Sequence, residues 1–288
     1  MGAVATSHQY GTSEGGAPRG EGTHDGRDGW RERDLQDLRR AKELLEYPGL
    51  AARVANLIGI PIEAGFKYLP DNWQQKVADA TRAALLKGLG LAVHTMGDAT
   101  GKSSRDFMHK LIVTATGAAG GAFGLIALPV ELPASTCVIL RSIADIAQSE
   151  GHTISSLENR LSCVFVLALG GRKSGDDAAE SGYWATRVAL GKAISEAAAY
   201  LAQKGLAEEG APPLIRLILV IAERFGVVVS EEVAAKAVPA IGAIGGAIVN
   251  FAFMDHFQDM ARGHFIVKRL EEKYGTAEVE RAYKELRI

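Results

Sequence analysis

The sequence predicts an all-α fold: a single multi-helix domain with two glycine-rich apolar central helices and no substantial sheet. Apolar residues recur at helical spacing in most segments, the breaks fall at Pro and Gly, and no candidate strand has a partner. The chain has 288 residues, 47% of them hydrophobic, so it can bury a large core. We expect roughly nine to eleven helices.

Composition bears on the partner, the compartment and the order of the first residues. The formal net charge of -2 argues against nucleic acid as the main partner, because phosphate binding requires a basic field. Cys137 and Cys163 lie in apolar runs, as buried free thiols do, which indicates a reducing, cytosolic setting. Residues 1–29 are polar and glycine-rich without the pattern of a secretory signal, so we expect a disordered tail before a domain spanning residues 30–288.

Two uncharged segments, Leu111–Val130 and Ala237–Met254, contain the glycines of the predicted central helices. Glycines four residues apart, such as Gly242 and Gly246, leave one side of a helix without side chains, so another backbone can approach closely. We expect these glycine faces near the centre of the fold, where they can meet.

The first uncharged segment also has the length of a membrane-spanning helix. Its alanine, glycine and threonine content makes insertion marginal, and Glu131 follows it directly. The sequence therefore favours a soluble or peripheral helical protein over one that inserts a hairpin, and it leaves insertion of either uncharged segment open.

Prolines and glycines predict where helices end. Pro129 and Pro133 are expected to break the helix, so that the chain reverses around Glu131. Gly226 is expected to end a later helix and Ser230 to begin the next one.

Glu131 is the first candidate for chemistry, since a carboxylate in a proline-flanked apolar bend should be paired or protonated. Arg141 can reach it if the chain reverses, and Arg141 and Asp145 have the i,i+4 spacing of an ion pair. A buried structural ion network is the simpler interpretation. A general acid, a general base or a ligand contact is the functional one.

Motifs for metal, nucleotide or nucleophilic chemistry are lacking. His256, Asp259 and His264 can share one side of a helix, but neither the glutamates of di-iron helices nor an HExxH motif occurs. GDATGKSS, at residues 97–104, lacks the spacing of a phosphate-binding loop. We therefore assign no metal ligand and no cofactor, and whether the chain is an enzyme stays open.

Three segments carry a resemblance: ALPVELPASTCVILRSIADIA, LENRLSCVFVLALGG and ERFGVVVSEEVAAKAVPAIGAIGGAIVNFAFMDHFQDMARGHFIVKRLEEKYG. Together they resemble the EcsC family, from about Leu35 to Gly275. The resemblance implies an association with ABC-type transport or secretion at the cytoplasmic membrane, without established catalytic or ligand residues. The positions that match the family's most recognisable motif residues are Glu131, Arg141, Asp145, Glu223, Arg224, His256, Gln258 and His264.

The expected function is that of a non-catalytic accessory or regulatory factor linked to ABC-type transport or secretion. Its expected partner is a membrane transporter or a lipid, and its expected location is cytoplasmic, peripheral to the inner face of the membrane. Two alternatives stay open: a hydrolase with a site around Glu131, Arg141 and His256, and a helical protein that binds an apolar ligand. A concave pocket that converges on these three residues would favour the hydrolase, and filled packing would favour the accessory factor.

Overall fold

A computed structural model of the chain describes residues 30–46, 49–59, 61–94, 124–171, 182–204, 211–238 and 242–287. These residues form ten α-helices and no strand, which confirms the predicted all-α class. The helices are α1 (Glu32–Glu46), α2 (Leu50–Ile58), α3 (Glu63–Phe66), α4 (Trp73–His94), α5 (Gly124–Ser149), α6 (Leu157–Val166), α7 (Gly182–Lys204), α8 (Pro212–Ala237), α9 (Gly242–Tyr274) and α10 (Thr276–Glu285). The predicted tail, most of the first uncharged segment and the GDATGKSS stretch lie outside the described residues.

The 33-residue helix α9 runs through the core and packs against α1, α2, α5, α6, α8 and α10. Its buried side chains include Phe253, Phe257 and Phe265. The ring of Phe257 lies 5.5 Å from that of Phe225 on α8, in an edge-to-face arrangement. Because so many helices bury their apolar faces against it, α9 sets the geometry of the domain.

Helix α5 continues through both of its prolines, so the break predicted at Pro129 and Pro133 is wrong. Each proline lacks the amide that would bond to the carbonyl four residues earlier, which costs the helix a hydrogen bond. Pro129 is exposed, at a position where water can reach the backbone, whereas Pro133 is buried in the core. Packing of α5 against α4 and α9 compensates for the lost hydrogen bonds.

Helix α8 is also continuous, so the predicted end at Gly226 and new start at Ser230 are wrong. The Ser230 hydroxyl donates to the carbonyl of Gly226, at 2.7 Å, instead of capping a new helix. Phe225, Val228 and Val229 are fully buried, so the apolar face of α8 runs across the predicted break.

Close backbone approach occurs at glycines other than those of the uncharged segments. A Cβ atom at Gly65 would lie 1.8 Å from the carbonyl oxygen of Ala234, and one at Gly263 would lie 2.6 Å from Cγ of Leu45. At Gly246, no atom of the described residues lies within 4 Å of the Cβ position. The predicted contact between the two glycine faces stays a prediction, since its other half lies outside the described residues.

Helices α5 and α9 run in the same direction. Nε2 of Gln258 donates to Oγ of Ser142 at 2.9 Å, and further along both helices Arg269 lies 3.3 Å from Glu150. The residue numbers of the two contacts increase in the same order on α5 and on α9. The amino-terminal ends of these helices therefore lie at the same end of the domain.

The chain advances from α1 to α2 in the direction opposite to that of α9. Asp37 on α1 lies 2.9 Å from Arg269, and Arg53 on α2 lies 3.0 Å from Asp255. Helix α2 therefore lies beside the amino-terminal half of α9.

Candidate functional site

Charged residues at the carboxyl-terminal end of α8 form an ion network with the start of α5. Nζ of Lys236 lies 2.8 Å from Oε1 of Glu131 and 2.8 Å from Oε1 of Glu232. The exposed fractions are 19% for Glu131, 7% for Glu232 and 16% for Lys236. Glu131 is therefore paired, as its apolar surroundings require, and its partner is Lys236.

Burial affects the two sides of this network differently. It raises the pKa of Glu232, and the neighbouring charge of Lys236 opposes that effect only in part. Burial alone would lower the pKa of Lys236, but the carboxylates of Glu232 and Glu131 outweigh it, so the pKa of Lys236 is raised. Lys236 thus stays charged, while Glu232 takes up a proton more readily than an exposed glutamate.

The adjacent Glu231 contacts a different helix. Its Oε2 atom accepts a hydrogen bond from the backbone amide of Ala51, at 3.1 Å, in the first turn of α2. Burial, with a smaller contribution from the negative charge of Glu63, raises the pKa of Glu231 to about 7, against the effect of this hydrogen bond. Glu231 therefore binds the first turn of α2, whereas Glu232 is linked to α5 only through Lys236.

Arg141 does not share a site with Glu131. The ten positions between them on the continuous helix α5 correspond to about 15 Å of rise. Arg141 is half-buried and Asp145 is exposed. The approach predicted for Arg141 and Glu131 depended on a chain reversal that does not occur.

His256 packs into a corner formed by two glycines after α6. A Cβ atom at Gly170, whose φ is 80°, would lie 2.2 Å from Nε2 of the buried His256 ring. At Gly171, a Cβ would lie 2.2 Å from the carbonyl oxygen of Arg224. His256 and Arg224 thus act here as packing partners of the glycine pair, whereas Glu223 is exposed.

The last two predicted positions lie further along α9. Gln258 forms the hydrogen bond to Ser142 described above. Nδ1 of His264 lies 2.9 Å from the hydroxyl oxygen of Tyr183, and both side chains are buried. Burial, followed by the positive charge of Arg187, lowers the pKa of His264 well below its usual value, so His264 is neutral near pH 7.

The predicted His256, Asp259 and His264 set does not converge. Oδ2 of Asp259 lies 2.8 Å from Nη1 of Arg53, and each histidine packs in its own buried surroundings. In the parts of the chain that the structure describes, no three His, Cys, Asp or Glu side chains are placed to hold a metal ion.

Sequence reasoning missed Lys236 and the bond from Glu231 to α2. The i,i+4 spacing of Glu232 and Lys236 is a local signal for half of the ion network. The pairing of Lys236 with Glu131 joins residues 105 positions apart, and no local pattern indicates it.

Among the exposed large apolar side chains are four from α2, the segment after α3, and the first halves of α5 and α9. From the helix contacts we infer that these four lie toward the end of the domain where α5 and α9 begin. We call this surface the apolar end. Its residues and their exposed fractions are Val130 (78%), Phe251 (68%), Leu57 (59%) and Tyr68 (59%).

Contacts described above place these residues together. Val130 precedes Glu131 of the ion network. Leu57 lies one turn beyond Arg53, and Phe251 lies one turn before Asp255, the partner of Arg53. Because α2 packs beside the amino-terminal half of α9, Leu57 and Phe251 lie in the same half of the domain.

Tyr68 belongs to an aromatic rim beside the ion network. It follows α3, whose Gly65 packs against Ala234, one turn or less from Lys236. The rings of Phe66 and Trp73 lie 5.3 Å apart next to it. Tyr68 of the apolar end and Trp73 thus flank the segment in which α3 packs on α8.

One helix among the described residues, Ala127–Ser149, is long and apolar enough to cross a membrane. Within it, 56% of the most apolar window is buried inside the domain. A buried core helix has the same length and composition, so this feature is weak support for a membrane span.

The fold and these contacts define an all-helical protein with a paired ion network beside an exposed apolar end. The chain belongs to the EcsC protein family, whose model matches residues 32–270. No curated protein and no solved structure matches the chain significantly.

Proposed function

We propose that this protein is a non-catalytic accessory or regulatory factor that docks its apolar end on the inner face of the cytoplasmic membrane. Its role there is in ABC-type transport or secretion, as the family resemblance implies. The observation that carries the proposal is the exposure of Leu57, Tyr68, Val130 and Phe251, on helices whose contacts bring them toward one end of the domain.

The composition of this end supports a lipid surface as the occupant. Large exposed apolar side chains that cluster mark interaction sites, whereas isolated ones do not. Tyrosine and tryptophan are enriched where a membrane meets water, and Tyr68 and Trp73 border the apolar end. Both uncharged chain segments also lead into this end, through the starts of α5 and α9.

The observed geometry supports a hydrolase less well than it supports a docking factor. Glu131 is neutralised by Lys236, Arg141 lies three helical turns away, and His256 is packed against Gly170. A general acid or base must be within hydrogen-bond distance of its substrate. These three side chains are too far apart to contact one small substrate together.

Membrane fractionation of the protein at its native level tests the proposal. We expect the protein to sediment with membranes, to resist extraction by salt, and to be released by alkaline carbonate, as a peripheral apolar contact should be. Retention through carbonate would indicate an inserted helix, and a wholly cytosolic protein would contradict membrane docking.

A matched pair of double variants localises the contact. Leu57→Ser with Phe251→Ser removes two side chains of the apolar end and should move the protein to the soluble fraction. Val188→Ser with Leu219→Ser removes two exposed side chains of α7 and α8 and should leave it on the membrane. If both double variants were found in the same fraction, the apolar end would be ruled out as the docking surface.

Stripped membranes distinguish lipid from a transporter as the direct contact. Rebinding of the purified protein to protease-treated membranes indicates lipid, as we expect. Loss of rebinding after protease treatment would assign the contact to a membrane protein instead.

A further inference from the structure

Among the described residues, the apolar end has more carboxylates around it than cationic groups, although the exposed Lys67 directly precedes Tyr68. Glu131, Glu231 and Glu232 lie beside it on α5 and α8, Glu63 lies on α3, and Lys236 is shared by two of the four. The nearest cation on α2, Arg53, is held by two aspartates of α9, Asp255 and Asp259.

Contact with a bilayer penalises this excess of negative charge. Apolar lipid removes water from nearby carboxylates, which favours their neutral form. The inner leaflet is itself negatively charged, which adds to the penalty. Docking and protonation of these carboxylates should therefore favour each other.

We propose that docking of the apolar end is linked to proton uptake by Glu231, so that the protein binds membranes more tightly as the pH falls. This inference rests on the proposed function and specifies how the same surface is regulated. Glu231 is the coupling group because it bonds to the first turn of α2, the helix that carries Leu57 to the apolar end.

The surroundings of Glu231 suit this role. The residues that face it are Ala51 of α2, through its amide, and Glu63 of α3, through its negative charge. Lys236, the nearby cation on the same helix, is engaged by Glu131 and Glu232. Burial already brings the pKa of Glu231 to about 7, so a further increase on docking acts in the physiological range.

The linkage between proton uptake and membrane binding determines how strongly the dissociation constant depends on pH. If docking raises the pKa of Glu231 by about one further unit, the dissociation constant for vesicles is about tenfold larger well above both pKa values than well below them. Each further unit of increase in the pKa multiplies this limiting ratio by another factor of about ten.

Vesicle flotation from about pH 5.5 to 8.5, across the pKa of Glu231, tests the inference. The vesicles are phosphatidylcholine alone and phosphatidylcholine with one quarter phosphatidylglycerol. The wild type should bind about tenfold more weakly at the alkaline end. Glu231→Gln, which keeps an acceptor for the Ala51 amide and has no charge, should bind with little dependence on pH. Glu43→Gln, at an exposed position of α1, is the matched control and should behave as the wild type.

The outcomes separate the two proposals. Wild-type binding that does not change with pH, or a Glu231→Gln variant with the same slope as the wild type, would overturn the role of Glu231. Absence of wild-type binding at every pH would overturn membrane docking itself. Circular dichroism of each variant at both ends of the pH range verifies that the compared proteins are folded.

Discussion

The Nζ atom of Lys236 lies 2.8 Å from the carboxylate of Glu131 and so joins the end of α8 to the start of α5. The same ammonium group pairs with Glu232 one turn earlier on α8. This largely buried network explains how a carboxylate can follow an uncharged segment, because Glu131 has a cationic partner inside the fold.

Replacement of Lys236 should destabilise the protein. Lys236→Met leaves Glu131 and Glu232 without their cation, and we expect a loss of about 2–3 kcal/mol in the free energy of unfolding at pH 7. The loss should shrink at acidic pH, where Glu232, whose pKa is raised by burial, takes up a proton. Urea denaturation at pH 7 and at pH 4 measures both effects.

Lys284→Met is the matched control for this prediction. Lys284 also pairs with a glutamate, Glu280, but its side chain is 52% exposed. We expect a change of less than about 0.5 kcal/mol. Equal effects of the two replacements would show that the network at Lys236 adds no more stability than a surface pair.

Stability should depend on the protonation of Glu231. Its pKa is raised on folding, from 4.5 to about 7, so the folded state binds more protons than the unfolded state between these values. The contribution is therefore favourable at low pH and is lost as pH rises through about 7. Glu231→Gln should remove this loss and, above pH 8, give a variant more stable than the wild type by on the order of 2 kcal/mol.

Urea denaturation from about pH 5 to 8.5 measures this dependence. The difference between the free energies of unfolding of Glu231→Gln and of the wild type should grow with pH. A constant difference across the range would mean that Glu231 does not change its protonation on folding.

Close packing of α3 on α8 should make Gly65 sensitive to substitution. A Cβ atom there would meet the Ala234 backbone, which cannot rotate away, so Gly65→Ala should cost more than about 2 kcal/mol. Gly191→Ala is the control, because no described atom lies within 4 Å of its Cβ position on α7. Alanine there should be neutral or stabilising by up to about 1 kcal/mol. Thermal denaturation of both variants measures these effects, and we expect a lower melting temperature for Gly65→Ala than for Gly191→Ala. Similar melting temperatures would contradict the tight contact at Gly65.

Local signals in the sequence predicted part of this fold well. Apolar periodicity correctly predicted the all-α class. Propensity was misleading at Pro129, Pro133 and Gly226, where packing on both sides holds a continuous helix.

The candidate site was less accessible to sequence reasoning. Its main contacts, Glu131 with Lys236 and Glu231 with Ala51, join distant residues, and no spacing rule reports them. The sequence analysis did not predict the apolar end, for a different reason. Phe251 and Phe253 look alike in the sequence, yet the first is exposed and the second buried, because positions two apart face different sides of a helix.

Site-specific fluorescence tests membrane docking by the apolar end most directly. The chain has two cysteines; Cys163 is buried and burial raises its pKa to about 12, so Cys137→Ala alone gives an unreactive background. An environment-sensitive NBD label is then attached at Phe251→Cys or, as the control, at Val188→Cys on α7.

Addition of phosphatidylcholine and phosphatidylglycerol vesicles at pH 6 provides the measurement. We predict that emission from the label at position 251 shifts to shorter wavelength and increases, while the label at position 188 stays in water and does not change. An unchanged signal at position 251, or an equal change at both positions, would contradict docking through the apolar end.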